Sequence, residues 1–348
     1  MDTTYRIASI FGAAVLAAGL FCATGLAAQN GPLEKKSLTL AVGGTAADLD
    51  KLGYAIALNK GFFKEEGIEL NSIDMFSGTR ALQALVGGNV DVVQGGYENT
   101  IKIQQQGIIV TCLGTFTRLP GLVLVKTKRG EATIHSTADL KGKNIGISAP
   151  GSSTHTFVAS IMQQAGLNPR DASFINVGIG ASAVAAVVSG GELDALINPD
   201  PIITQLTKTG QAKIMVDGRT EAGTQAAYGG LYPAGCIFVP EKFIKDNPNT
   251  SQALANAMVH ALKWLRTASV DDIVKAIPKT YYHDVEIYRE ALKNSLDLYH
   301  WDGIVTPDMA HTVFKANTIV DPRLKNAKID FDKTYDNGFT RRAWEKFK

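Results

Sequence analysis

Five short segments of this 348-residue chain combine glycine with hydroxyl, amide or acidic side chains where apolar runs give way to helical spacing. They are Gly43-Gly44-Thr45, Ser77-Gly78-Thr79, Gly95-Gly96-Tyr97-Glu98-Asn99, Pro150-Gly151-Ser152-Ser153-Thr154-His155 and Asn198-Pro199-Asp200-Pro201. Small residues let a ligand reach the backbone. Hydroxyls and free N–H groups at a helix start bind anions through hydrogen bonds and the helix dipole. Ser77-Gly78-Thr79 and Gly151-Ser152-Ser153-Thr154 carry that chemistry most clearly. The same residue types serve as ordinary helix caps, so each loop alone is ambiguous. Two such loops facing one cleft favour binding.

The other polar positions admit two roles each. Tyr97 can stack on or hydrogen-bond a ligand, or pack at a cleft edge. His155 suits a ligand contact or a satisfied structural histidine. Asp200 can accept a hydrogen bond from a ligand amine or hydroxyl, or cap the helix that starts near Pro201. The candidate ligand-binding set is Gly44, Thr45, Ser77, Gly78, Thr79, Tyr97, Gly151, Ser152, Ser153, Thr154, His155, Asn198 and Asp200. Arg80 and Arg118 lie near these loops as possible anion partners. No catalytic residue, metal ligand or cofactor is expected, because GxSxG, GxxxxGK[ST] and HExxH patterns are all missing from the sequence. Gly178-Ile179-Gly180-Ala181-Ser182-Ala183 looks like a degraded dinucleotide fingerprint, but lacks its companion acid unless Asp200 is drafted.

Strands and helices alternate to place these loops. Ser37–Gly43, Ile68–Asp74, Val90–Gln94 and Ile108–Phe116 read as strands, separated by helices Leu49–Lys60, Thr79–Val86 and Glu98–Gln106. The pattern restarts with strands Lys143–Ser148, Ser173–Val177 and Leu193–Ile197 around helices Ser153–Gln164 and Ala181–Val188. Such alternation specifies a largely parallel α/β sheet, and ligands sit outside the carboxyl ends of its strands. Gly87-Gly88-x-x-Asp91 and Gly190-Gly191-x-x-Asp194 match in register, each after an Ala/Val/Leu helix. From Pro240 onward the chain is mostly helical.

Arg6 followed by the apolar run Ile7–Leu26 and the small residues around Ala27 describe a secretory signal peptide, residues 1–27. Its removal leaves about 320 residues, enough for two cores. A net charge of +2 with 20% charged residues speaks against nucleic acid as a partner, and 45% hydrophobic content against disorder. Cys112 and Cys236, the two cysteines beyond Cys22, are too few for a disulfide scaffold.

The segment Ala57–Leu70 (ALNKGFFKEEGIEL) resembles the hallmark of NMT1/THI5-like and SsuA-like substrate-binding proteins. ALQALVGGNVDVVQGG, ADLKGKNIGISAPGSSTHTFV and GGELDALINPDP follow in the family's order. The resemblance implies the type II periplasmic-binding-protein fold, an α/β architecture of two lobes with a cleft between them and a helical C-terminal extension. It puts lobe 1 at 37–125 plus 235–348 and lobe 2 at 126–234, with hinges at Lys126–Lys128 and Pro233–Gly235. It also sets the Cys112 and Cys236 strands side by side, where a disulfide can form. The implied role is the extracytoplasmic solute-binding component of an ABC importer: a periplasmic monomer whose partners are a small-molecule ligand and the transporter's membrane subunits. No basic cluster dedicated to sulfonate or nitrate is present, so the expectation is a small organic anion of sulfonate or carboxylate type. The alternatives are a carrier of a thiamine-pyrimidine-like heterocycle, with Tyr97, Tyr228 and Tyr232 as stacking faces, and a pyrimidine synthase of the same fold. Those synthases rely on a Cys-rich iron-binding run that this chain lacks.

Overall fold

The computed structural model describes residues 31–299 and 302–348. The expected signal peptide, residues 1–27, and Cys22 lie outside these. Among the described residues no helix is long and apolar enough to cross a membrane.

The apolar runs form strands β1 (Ser37–Val42), β2 (Glu69–Asp74), β3 (Val92–Gly96), β4 (Val110–Thr115), β5 (Leu122–Thr127), β6 (Asn144–Ile147), β7 (Ser173–Asn176), β8 (Ala195–Pro199), β9 (Ala212–Asp217) and β10 (Gly235–Pro240). They make two sheets, ordered β2-β1-β3-β10-β4 and β7-β6-β8-β5-β9. In the first, β1 runs parallel to β2 and β3, while β10 is antiparallel to β3 and β4. In the second, β6 is parallel to β7 and β8, and β5 is antiparallel to β8 and β9. One plan serves both: a central strand flanked by its two successors, with one antiparallel strand inserted before the last.

Helices cover both faces of each sheet, which is why these strands read as near-continuous apolar runs. Leu38, Leu40, Val42 and Val92 face one core of the first sheet, while Ala41 and Val93 face the other, following the two-residue period of a strand. The second sheet has its own two cores, around Phe157 and around Ile203.

The glycine-aspartate segments turn at different glycines but end in the same aspartate contact. Positive φ falls on Gly88, the second glycine of its pair, at 72° and on Gly190, the first of its pair, at 71°, a left-handed turn that glycine adopts without steric cost. Asp91 Oδ2 then accepts from Thr39 N at 3.0 Å, and Asp194 Oδ2 from Asn144 N at 2.9 Å. Each carboxylate also pairs with a cation, Lys35 at 2.6 Å and Arg129 at 3.0 Å. In each sheet this clasp ties the start of the third strand to that of the central one, at the end remote from the candidate loops.

β5 straddles the expected division at residues 125 and 126, and Leu122–Thr127 pairs with β8 and β9 of the second sheet. Residues 116–121 connect it to β4 of the first sheet. The chain rejoins the first sheet at Gly235, opposite Gly96. Cys112 of β4 and Cys236 of β10 are joined in a disulfide with Cα atoms 6.2 Å apart.

The C-terminal helices do two jobs. Pro248–Leu265 buries most of its length against Leu52–Asn59 and Asn337–Lys346. Pro307–Val320 packs on Glu98–Lys102 of the first half and on Ser153–Gln164 of the second. Its Asn317 bridges them, donating to Tyr232 Oη at 3.2 Å and accepting from Thr156 Oγ1 at 3.3 Å.

Candidate functional site

The loops after β1, β2 and β3 meet through their backbones. A Cβ at Gly43 would stand 3.1 Å from Gly78 Cα and 3.4 Å from Gly95 Cα, so a side chain there would force the loops apart. A Cβ at Gly44 would press on Asp48 Oδ2 at 2.7 Å and lie 3.8 Å from Ile179 Cδ1 of the second half. Leu49 N donates to Asp200 O across the same gap at 2.8 Å. The two halves are thus in contact at the strand ends.

Ser77 and Ser152, both N-cap residues, behave differently. Ser77 precedes helix Gly78–Val86, yet its hydroxyl makes no cap hydrogen bond. It is 1% exposed and has no hydrogen-bond partner among the described residues. Ser152 accepts from His155 N at 3.4 Å and joins a closed triangle with Ser148 and Thr154, whose hydroxyl oxygens lie 2.8–2.9 Å apart. Thr154 also accepts from Ser148 N at 2.9 Å. The second loop's hydroxyls are largely consumed in holding its own turn, and the first loop's serine is not.

The remaining candidates divide in the same way. Asn198 is fully buried; its amide donates to Ile197 O at 2.9 Å, while Oδ1 has no partner among the described residues. Thr45 borders the cleft and donates its N–H to Asp48 Oδ2 at 2.7 Å. Gly78 and Thr79 are half-buried at the helix start, and Ser153 is half-buried beside the hydroxyl triangle. Gly151 N donates to His155 Nδ1 at 3.1 Å, and its carbonyl accepts from Lys102 Nζ at 3.0 Å. Burial first, then Lys102, lowers the His155 pKa below its ordinary value, and the ring rests edge-on against Phe174.

Tyr97 and Asp200 are committed elsewhere. Tyr97 is fully buried in the first half's core, its hydroxyl 2.6 Å from Thr334 Oγ1. Asp200 is 1% exposed, with Arg219 Nη1 at 2.5 Å, Ser295 Oγ at 3.2 Å and Thr204 N at 2.8 Å. Both of its carboxylate oxygens are thus already engaged by protein donors. Burial opposes the Arg219 charge, but the hydrogen bond to Asp217 and the charge of Asp200 outweigh it and raise its pKa. Arg118 pairs with Glu221, and Arg80 is exposed.

Three residues outside the expected set share this region. Gln94, in the middle of β3, is fully buried with neither amide atom partnered among the described residues. Glu98 is 2% exposed; its Oε1 lies 3.9 Å from Lys102 and its Oε2 is unpartnered among those residues. Beside it the rings of Tyr228 and Tyr232 stack with centroids 4.0 Å apart. Burial, and then Glu98, pushes both phenols well up. Asp48 is 3% exposed, and burial followed by the neighbouring Asp50 raises its carboxyl to about 7. Gln94 and Glu98 flank the Gly95-Gly96 pair that ends β3, so a polar residue beside a strand-end glycine pair was the available signal.

Next to these loops lies a cavity of about 240 Å³, bordered by Thr45, Asp48 and Phe76 of the first half, residues 179–181, Pro201, Ile202 and Gln205 of the second, and residues 280–284, Ile287 and Tyr288 of the C-terminal extension. Among the described residues no cluster of His, Cys, Asp and Glu is arranged to hold a metal. Among the described residues the site offers hydrogen-bonding groups: a helix start, the free Ser77 hydroxyl, the free Gln94 amide, the Asn198 Oδ1 acceptor and the Glu98 carboxylate.

Residues 49–268 match the family model described as NMT1/THI5 like. The chain belongs to the NMT1/THI5-like family. This NMT1/THI5-like protein is 41% identical to a protein of known structure from Bordetella bronchiseptica RB50, with a TM-score of 0.86 and coverage of 91% of this chain and 99% of that one. A Bacillus subtilis (strain 168) protein named as an aliphatic sulfonates-binding protein is 26% identical over 344 residues, 96% of this chain and 97% of the relative. The alkanesulfonate-binding protein SsuA from Xanthomonas axonopodis pv. citri, solved bound to MOPS, shares the fold at 17% identity with a TM-score of 0.67, covering 87% and 98% of the two chains. The NMT1/THI5-like chain thus has the periplasmic-binding-protein fold, with two mixed α/β sheets as those neighbours have.

Proposed function

We propose that this protein is the solute-binding component of an ABC importer, taking a small organic anion between its two halves and presenting it to the transporter's membrane subunits. The observation that carries this reading is that, of the buried polar groups without partners among the described residues, Ser77 Oγ, the Gln94 amide, Glu98 Oε2 and Asn198 Oδ1 all lie in or beside the strand-end loops. An unsatisfied buried polar group costs about 1–3 kcal/mol, which a ligand's own donors and acceptors can recover. The first N–H groups of helix Gly78–Val86 have no intrahelical acceptor, and Ser77 does not cap them. An anionic head is the matching occupant. Glu98 takes the role first expected of Asp200 and favours a ligand that also carries an amine or hydroxyl. The names of the sulfonate-binding relatives support the anionic class.

Export fits this reading: cleavage of residues 1–27 would release a periplasmic monomer that acts by binding, without chemistry. Ligand contacts from both halves favour the closed arrangement, by rotation about residues 116–121 and 229–234. The expected boundaries, corrected at β5, give one lobe of 37–115 plus 235–348 and a second of 122–228. Calorimetry against ethanesulfonate, taurine, nitrate and acetate tests the ligand class, and binding of nitrate or of cations alone would reject it. Small-angle scattering should show a smaller radius of gyration with saturating ligand. An unchanged profile would reject closure.

A further inference from the structure

We propose that the cavity beside the strand-end loops holds the body of the ligand, and that this body is an aromatic ring. The inference rests on the reading above for the ligand's head, and deepens it by naming the class of its tail. The cavity's volume of about 240 Å³ exceeds the roughly 150 Å³ of an apolar cavity that takes up benzene. Its walls include Phe76, Ile179, Ile202, Tyr281, Tyr282 and Tyr288. Tyr282 and Tyr288 already lie with ring centroids 5.1 Å apart, and aromatic pairs of this kind favour a further ring in offset or edge contact. Asp48 stands among these walls as a polar group for a ring hydroxyl or amine.

Phe76 is an independent sign of a ligand. It is the residue directly before Ser77, and among the described residues it is the one non-glycine residue with positive φ, 56°. The residue is 49% exposed. A bulky side chain in the left-handed region is strained, and such strain persists where the surroundings or a function require it. Here it holds an exposed aromatic ring over a cavity that begins where the anion-binding helix starts. The far wall comes from Thr280–Tyr288, which belongs to none of the five strand-end loops, so the C-terminal extension selects the tail while the loops select the head. The Bacillus relative is named for aliphatic sulfonates and the Xanthomonas protein for alkanesulfonate; these walls point to an aryl compound.

The test uses the purified full-length protein after export. Titration with 4-fluorophenol, followed by fluorine NMR, should show saturable binding. Ala181→Trp, at an exposed cavity-lining position, should abolish it. Phe76→Gly should weaken it about five-fold or more without lowering the melting temperature, since glycine accepts the backbone angle. No saturable binding, or binding that neither variant changes, overturns the assignment. By calorimetry, benzenesulfonate should bind roughly ten-fold or more tightly than ethanesulfonate, with the advantage lost in Ala181→Trp; equal affinities also overturn it. If fluorophenol binds and neither sulfonate does, the anionic head is wrong and the ring cavity stands. If sulfonates bind and fluorophenol does not, the cavity assignment falls alone.

Discussion

The Asp200 carboxylate and the Arg219 guanidinium meet at 2.5 Å with side chains 0% and 5% exposed. Arg219 also reaches Asp217 through Nη2 at 2.6 Å. Two strand-end loops of the second half are locked together by this pair, next to the Ser295 contact from the C-terminal extension. Removing one partner strands a buried charge. Arg219→Ala is therefore expected to lower folding stability by about 3–5 kcal/mol in urea denaturation, and a variant with wild-type stability would show the pair to be incidental.

Ser77→Ala and Ser152→Ala should have opposite profiles. Ser77 Oγ makes no hydrogen bond among the described residues, so its loss should raise the stability of the free protein by about 1 kcal/mol or more while weakening ligand binding roughly ten-fold. Ser152→Ala breaks a cap and the hydroxyl triangle, and should cost about 1–2 kcal/mol of stability. Denaturation and calorimetry on both variants decide this; a Ser77→Ala variant with undiminished affinity removes that hydroxyl from the site.

Asp48 should make stability depend on pH. Its carboxyl is held at about 7, against an ordinary 3.8, by burial and by Asp50, with Thr45 and Lys51 opposing; Tyr288 is the other titratable group in its field. The folded state prefers the protonated acid. That contribution is complete below the unfolded value and is lost as pH rises through the folded one. Asp48→Asn keeps an acceptor for Thr45 N and does not titrate. It should match the wild type near pH 4 and exceed it by roughly 1–3 kcal/mol at pH 8. A constant gap across that range would contradict the account.

The Cys112–Cys236 bridge spans 124 residues. In the chain-entropy model a loop of that size is worth about 4–5 kcal/mol. A thiol assay on the denatured, unreduced protein should find neither of these cysteines reactive. Denaturation with and without reductant should then show a loss of that order.

Much of the fold was legible from local signals. Helices Ser153–Gln164 and Ala181–Val188 match their expected limits, because a serine cap or glycine turn opens them and polar or glycine residues close them. β5 went unread because no helix separates it from β4, so alternation could not mark it. Asp200 was visible as an acid at a strand end, but its partner lies 19 residues away along a path that no periodic spacing describes. The idle hydroxyl of Ser77 and the busy one of Ser152 are the same residue in the same local pattern. Only tertiary packing separates them. The wall at Thr280–Tyr288 was equally hidden, since the extension reaches the cleft by docking rather than by sequence neighbourhood.

The bridge between β4 and β10 has a mechanical consequence. The chain leaves the first sheet after β4 and re-enters it at β10, so the two connecting segments spring from the two strands that the sulfur atoms join. They resemble two pins set in one jamb. Their spacing at the base is fixed, so the closure proposed above would turn about two pins that cannot drift apart. In a reducing medium the jamb would loosen before the door did, and the motion would lose its axis while each half kept its shape.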